Sequence, residues 1–231
     1  FPTRRSSDLA KSSVHTNIES KKEQAKLIVT MEHTIPQHPE HVAGKVETFE
    51  NFCLGKKRKV PGCPTSSLTR YFVLIEEKAT AAGNKVSTLN SDIFVRMATP
   101  SKETSLYYKF HQLYPNILDS EVILAPFNHG SHWCLVVVNL KENFSVYLES
   151  SHEGAGAKMA FSRVNNFLTS CASINGINLE LEELEDFVIP LSEIAQQLNS
   201  DDCGVFVAKW AQHISLGLPV DFTQDQMVTF R

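Results

Sequence analysis

The chain has 231 residues, a hydrophobic content of 42% and a formal net charge of −4. This length fits one domain with a real core, and the acidic balance argues against a general nucleic-acid-binding protein. No apolar run approaches the roughly 20 residues of a membrane span, so we expect neither a nucleic-acid nor a membrane partner. The five cysteines form no CxxC pair, which favours free thiols and predicts no metal site and no cofactor.

The first 64 residues are set apart from the rest. Residues 1–9 back-translate to a sequence that resembles a common sequencing-library adapter, and we treat them as an assembly artefact. Residues 10–64 are polar and are predicted to form a weakly structured extension. A basic run at 56–60 resembles a nuclear-import signal, although a solvated charge run explains it as well. No secretory signal pattern opens the chain, so we expect a nuclear and/or cytoplasmic protein.

Three helices are predicted in the next part of the chain. Ser66 or Ser67 is expected to cap a helix that runs to about residue 82 and ends at Gly83. Residues 90–97 and 101–113 are predicted as two further helices, separated by Pro100.

The centre of the chain changes to strand-like patterns. Strands are predicted at 121–127, 132–140 and 144–149, with a hairpin-length connection between the last two. A helix over 157–171, a strand over 187–190 and a helix from Cys203 complete the order. Mixed helices and strands in this order indicate an α+β domain, and the chain stops at Arg231 inside what looks like an ongoing element.

Cys203 is the leading candidate for a nucleophile. It follows a turn-forming run (QLNSDD) and opens an apolar helix. A thiol at the positive end of a helix dipole is expected to favour the thiolate. The alternative is a small buried residue, and we assign that role to Cys134 and Cys171.

His132 and Glu149 supply the base and the acid that such a nucleophile requires. His132 begins one predicted strand and Glu149 ends the next, so an antiparallel hairpin brings them together. His129 is a nearby competitor for the role of base.

Gln197 lies six residues before Cys203. Its side-chain amide, together with the Cys203 backbone N–H, is suited to stabilising an oxyanion. Gln196 is adjacent, and spacing does not choose between the two.

The combination of His132-Trp133, an acid 17 residues later and the QLNSDDCG run at 197–204 resembles the ubiquitin-like-protein-specific proteases, which include the SUMO (sentrin) and Nedd8 proteases. The resemblance covers about residues 65–231 and implies a papain-like α+β catalytic domain, in which an N-terminal nucleophile helix packs on a central mixed sheet. It also implies that the last helix of this domain is missing from the chain. It also implies hydrolysis by a monomeric thiol protease or isopeptidase after a C-terminal Gly-Gly, with Trp133 over the channel that holds this tail.

The segment 222–231 is similar to the C-terminal part of SUMO proteases and favours SUMO over Nedd8 as the partner. Two features depart from the family. Glu149 stands where Asp is usual, and the second channel tryptophan has no match near 63–68. A weakly active or inactive modifier-binding module is therefore an alternative. A related acetyltransferase is a further one, although its acid and cysteine spacings differ.

Overall fold

The computed structural model describes residues 19–26, 65–96, 111–151, 154–177 and 184–230. The six helices that we name in these ranges are α1 (19–26), α2 (Thr65–Ala81), α3 (Ser91–Arg96), α4 (Ala157–Ile174), α5 (Cys203–Leu216) and α6 (Gln224–Phe230). The five strands are β1 (Val86–Thr88), β2 (Val122–His129), β3 (His132–Asn139), β4 (Phe144–Glu149) and β5 (Glu185–Val188). Short 3₁₀ turns lie at Ile117–Asp119 and Leu191–Glu193.

The strands form one mixed sheet in the order β1-β2-β3-β4-β5. The two central pairings, β2 with β3 and β3 with β4, are antiparallel, and the two edge pairings are parallel. The hairpin between β3 and β4 contains Asn143, whose φ of 59° is a left-handed conformation that asparagine tolerates. Because β3 and β4 are antiparallel, the start of β3 and the end of β4 lie at the same end of the sheet.

Helices cover both faces of the sheet. Alternate residues of β3 point to opposite faces: Trp133, Leu135 and Val137 join the core beneath α2 and α5, while Cys134 and its alternate neighbours join the core beneath α4. Almost every residue of the first two turns of α5 is buried, as expected for a central helix. This burial fixes the position of Cys203 at its N-terminus.

Most of the predicted elements are present. The helices and strands predicted between residues 66 and 97 and between 121 and 171 match α2, α3, β2, β3, β4 and α4 within a few residues. The last predicted strand is shifted from 187–190 to Glu185–Val188, because Pro190 lacks an N–H for the ladder and leads into a 3₁₀ turn. The helix predicted at 101–113 falls mostly outside the described residues, although 111–113 are helical.

Three observed elements were not predicted. The strand β1 has only three residues, and α6 has only seven, so neither has enough length for a clear periodic pattern. The third, α1, lies within the segment 10–64 that we expected to be weakly structured. The artefact assigned to 1–9 and the basic run at 56–60 lie outside the described residues.

The helix α1 packs against the edge of the domain. Ala25 is fully buried in the core beneath α5. Lys21 and Lys26 form ion pairs with Glu185 (3.3 Å) and Glu193 (3.1 Å). Partly exposed ion pairs of this kind contribute little to stability, so burial of Ala25 is the more important contact. No helix in the described ranges is long and apolar enough to span a membrane.

Lys209 is an unusual charge inside the central helix. It is 8% exposed, its Nζ lies 3.8 Å from the centroid of the Phe230 ring, and it donates a hydrogen bond to Gln212 Oε1 at 3.1 Å. Burial lowers the pKa of Lys209 from 10.5 to about 8. Below pH 8 the buried Lys209 side chain is therefore charged in the folded protein, which destabilises the folded state.

We expect Lys209→Met to raise the Tm at pH 7 by about 3 °C or more, because it removes this buried charge. Between about pH 8 and pH 10.5 the unfolded chain binds the Lys209 proton and the folded chain does not, so the stability of the wild type rises with pH there. The Tm advantage of the variant should therefore shrink at pH 9.5. An advantage that is equal at both pH values, measured by calorimetry, would contradict this.

Candidate active site

The β3–β4 hairpin brings His132 and Glu149 together. Cys134 is the direct cross-strand partner of Glu149, and His132 precedes Cys134 by two residues on the same face of the sheet. Such diagonal neighbours are within reach of long side chains. His132 Nε2 lies 3.5 Å from Glu149 Oε1, and Glu149 is 6% exposed. The geometry matches the sequence prediction of an acid beside this histidine.

Ser151 also contacts the His132 ring and was missed by the sequence analysis. Its Oγ lies 3.5 Å from Nδ1 and 3.3 Å from Nε2. The direction of the hydrogen bond depends on which ring nitrogen carries the proton. Ser151 follows the predicted acid, Glu149, by two positions. This closeness in sequence was the only feature that could have pointed to Ser151.

The buried hydroxyl of Tyr147 lies beneath the pair formed by His132 and Glu149. The Tyr147 hydroxyl lies near Glu149 and the Cys134 thiol, and burial is the main cause that raises the pKa of Tyr147. A Cβ on Gly156 would lie 2.9 Å from this hydroxyl, so any larger residue there would displace the ring. Tyr147 and Gly156 therefore support Glu149 from below, on the face that α4 covers.

Cys203 is the first residue of α5 and is 5% exposed. Burial raises the pKa of the Cys203 thiol, and the nearby backbone N–H groups of Trp133, Gly204 and Cys203 itself lower it by less. We expected the helix terminus to favour the thiolate. That expectation was wrong, because the pKa of the thiol is raised overall. The sequence did not show how deeply the thiol is buried.

The contact with Trp133 has a direct geometric consequence. Because Trp133 and Cys203 lie in the same core, and the Trp133 N–H is near enough to lower the pKa of the Cys203 thiol, the start of β3 lies beside the N-terminus of α5. His132 is the residue immediately before this N–H. The competitor His129 is its cross-strand neighbour in the β2–β3 hairpin and is exposed, near Gly156.

Gln197 is held beside the end of β4. Its backbone N–H donates to Ser150 O at 2.8 Å, and Ser150 Oγ donates to its Oε1 at 2.9 Å. Its Nε2 donates to Asn199 O at 2.5 Å. The neighbour Gln196 is differently placed, because its amide donates to Leu191 O at 2.9 Å on the exposed surface. The two glutamines that spacing left equivalent are thus distinguished by their contacts.

Trp133 is almost wholly buried. It is 5% exposed and belongs to the same hydrophobic core as Cys203. Packing therefore accounts for most of its surface, and its role over a Gly-Gly tail stays a prediction. Cys134 and Cys171 are fully buried, as predicted for core residues, whereas Cys53 and Cys63 lie outside the described residues. Within the described ranges, no cluster of three or more acidic, histidine or cysteine side chains is arranged to hold a metal ion.

Comparison with known families decides the assignment. The model of the Ulp1 protease family, C-terminal catalytic domain, matches residues 69–231, a range that contains every candidate site residue. The chain belongs to the Ulp1 protease family. This agrees with the resemblance derived from His132, the acid at 149 and the Cys203 motif.

Several relatives in the Ulp1 family are similar in sequence. Sentrin-specific protease 2 of Pongo abelii is 35% identical over 116 residues, which cover 50% of this chain and 20% of that protein. Ubiquitin-like-specific protease ESD4 of Arabidopsis thaliana is 31% identical over 121 residues, covering 50% of this chain and 23% of that protein. The chain thus spans about a fifth of the length of these relatives.

Solved Ulp1-family structures share the fold. The C-terminal Ulp1 protease domain in complex with Smt3, the yeast ortholog of SUMO, gives a TM-score of 0.59 at 18% identity, covering 73% of this chain and 72% of that chain. The catalytic domain of a Chaetomium thermophilum Ulp1-like SUMO protease gives 0.55 at 20% identity, covering 71% and 65%. The predicted α+β class with a mixed sheet is confirmed.

Proposed function

We propose that this chain is a thiol protease and isopeptidase that hydrolyses the bond after the C-terminal Gly-Gly of a ubiquitin-like modifier. The observation that carries the proposal is the position of Cys203 at the N-terminus of α5, in the same core as Trp133 at the start of β3. It sets the thiol next to the strand that begins with His132, whose ring lies 3.5 Å from Glu149. Nucleophile, base and acid are the groups that thiol-dependent acyl transfer requires.

In this mechanism His132 takes the proton from Cys203 as the sulfur attacks the scissile carbonyl carbon. The new S–C bond forms while the carbonyl π electrons move to the oxygen, which becomes an oxyanion. The imidazolium then gives its proton to the leaving amine as the C–N bond breaks, and a thioester remains. Water, deprotonated by His132, hydrolyses the thioester and restores the thiol. Glu149 orients the imidazole and stabilises its charged form.

The donors for the oxyanion in this proposal are the Gln197 side chain and the Cys203 backbone N–H. A primary amide carries two hydrogens. Gln197 Nε2 bonds to Asn199 O at 2.5 Å and lies 3.4 Å from Asn199 Oδ1, and in this proposal the hydrogen on the longer contact turns to the oxyanion. Ser150 holds the oxygen end of the amide, so the nitrogen end is the one available as a donor.

We propose SUMO as the modifier, with Nedd8 as the second candidate. The support is the family membership, the similarity to sentrin-specific protease 2, and the 222–231 segment that resembles SUMO proteases. Trp133 is proposed to restrict the tail to glycine. We further propose a monomer that acts in the nucleus and/or the cytoplasm, the basic run at 56–60 being the support for nuclear entry.

Turnover of matched substrates tests this function. SUMO, Nedd8 and ubiquitin, each with a fluorogenic amine on the C-terminal glycine, are incubated with the chain at equal concentration. We expect release from SUMO to be at least tenfold faster in kcat/KM than from the other two. Faster release from Nedd8 would change the modifier but not the chemistry. Binding of SUMO without release would support the non-catalytic module, and acetyl-CoA consumption would support the acetyltransferase.

A further inference from the structure

The loop between Gln197 and Cys203 is held by a side chain from a different helix. Gln224, the first residue of α6, contacts both ends of this loop. Its Oε1 accepts a hydrogen bond from the Leu198 backbone N–H at 2.8 Å. Its Nε2 donates to Asp202 Oδ2 at 2.7 Å. One amide group thus joins the residue after Gln197 to the residue before Cys203.

The loop also has contacts of its own. Asn199 Oδ1 accepts from the backbone N–H groups of Asp201 (3.0 Å) and Asp202 (3.1 Å), and Asn199 Nδ2 donates to Asp202 Oδ2 at 2.5 Å. These local bonds fix the turn itself. They do not fix its first residue, Leu198, whose N–H bonds to Gln224 and whose side chain is 79% exposed.

We propose that Gln224 is a positioning residue that sets the distance between the two oxyanion donors. This inference rests on the proposed function, in which those donors are the Gln197 amide and the Cys203 N–H. Asp202 is 1% exposed, so the carboxylate that anchors the contact has little freedom to move. A hydrogen bond to a buried charge is stronger than one between neutral groups. Through Gln224, the position of Asp202 therefore fixes the position of Leu198 at the start of the loop.

The chemistry of the side chain matters here. The site needs an acceptor for Leu198 N–H and a donor for the Asp202 carboxylate, about one amide width apart. Glutamine and asparagine carry both on one planar group, and only glutamine has the reach of the observed side chain. Because oxyanion donors act only when the reacting oxygen has become charged, a small misplacement lowers kcat rather than substrate affinity.

The test uses Gln224→Met, which keeps the length of the side chain and removes both hydrogen bonds. We expect kcat on the fluorogenic SUMO substrate to fall about 10- to 100-fold, with KM changed less than threefold. The matched control is Gln226→Met on the same helix. Gln226 is exposed and accepts a hydrogen bond from the Thr223 backbone N–H at 2.9 Å. Gln226→Met therefore shows how much kcat falls when only the start of α6 is weakened. We expect the kcat of this control to stay within about twofold of wild type.

A second readout does not depend on turnover. Hydrogen exchange of the Leu198 amide should accelerate at least tenfold in Gln224→Met and stay unchanged in Gln226→Met. Gln224→Ala repeats both measurements with a shorter side chain, and the Tm of each variant identifies any loss of folding.

The proposal is overturned if Leu198 exchange is the same in the two methionine variants, or if their kcat values are equal. If the wild type turns over no modifier substrate, the proposed function fails. In that case hydrogen exchange still tests the contact itself. If the Leu198 amide stays protected in Gln224→Met, Gln224 does not hold this loop. If the amide exchanges faster, Gln224 holds the loop.

Discussion

Replacing Cys203 with alanine is expected to reduce turnover of the fluorogenic SUMO substrate by about 10⁴-fold or more, because the variant has no nucleophile. Binding of SUMO should change by less than about twofold. Only one sulfur atom is lost, and the residue exposes only 5% of its surface. Fluorogenic rate assays give kcat and titration calorimetry gives Kd, both on the same preparation.

The control for this variant is Cys171→Ala. Cys171 is a fully buried thiol on α4, on the opposite face of the sheet from α5, so its loss tests the general effect of removing a core sulfur. We expect it to lower the Tm and to leave kcat per folded molecule unchanged. Turnover by Cys203→Ala at more than a hundredth of the wild-type rate would reject Cys203 as the nucleophile.

His132→Ala should reduce kcat by about 10²- to 10⁴-fold through loss of the general base. The raised pKa of Cys203 makes this dependence strong. Because burial keeps the thiol protonated near neutral pH, attack requires a group that removes the proton. The rate of alkylation of Cys203 by iodoacetamide, followed from pH 5 to pH 10, reports this coupling directly.

In the wild type we expect the alkylation rate to show an inflection that reports the titration of the general base, and in His132→Ala we expect that inflection to disappear. Glu149→Gln is the comparison variant, since it keeps the shape of the acid and removes its charge. It should retain the inflection at a lower pH and lose less activity than His132→Ala, because the carboxylate only orients and stabilises the imidazolium. Identical alkylation profiles in the wild type and His132→Ala would show that His132 is not coupled to Cys203.

The pairing of His132 with Glu149 could be predicted because it depends on local rules. Two apolar strands joined by a short turn fix which residues face each other, so the end of β4 had to lie beside the start of β3. The helix that begins at Cys203 was likewise marked by the polar run before it and the apolar run after it. These are patterns within about 20 residues.

The contacts that join distant parts of the chain could not be predicted. Gln224 reaches Asp202 across 22 residues, and Lys21 reaches Glu185 across 164. Neither pair has a pattern in the sequence, because the partners meet only after the helices have packed. The raised pKa of Cys203 has the same origin, since burial of the thiol depends on how closely α5 packs against the sheet.

The most direct measurement of the central claim is covalent capture. SUMO that carries an electrophile in place of its C-terminal carboxylate is incubated with the full chain, and the adduct is digested and mapped by mass spectrometry. We predict one adduct per chain, located on Cys203, absent in Cys203→Ala and strongly slowed in His132→Ala. An adduct on another cysteine, or SUMO binding with Cys203 left unmodified, would contradict the account.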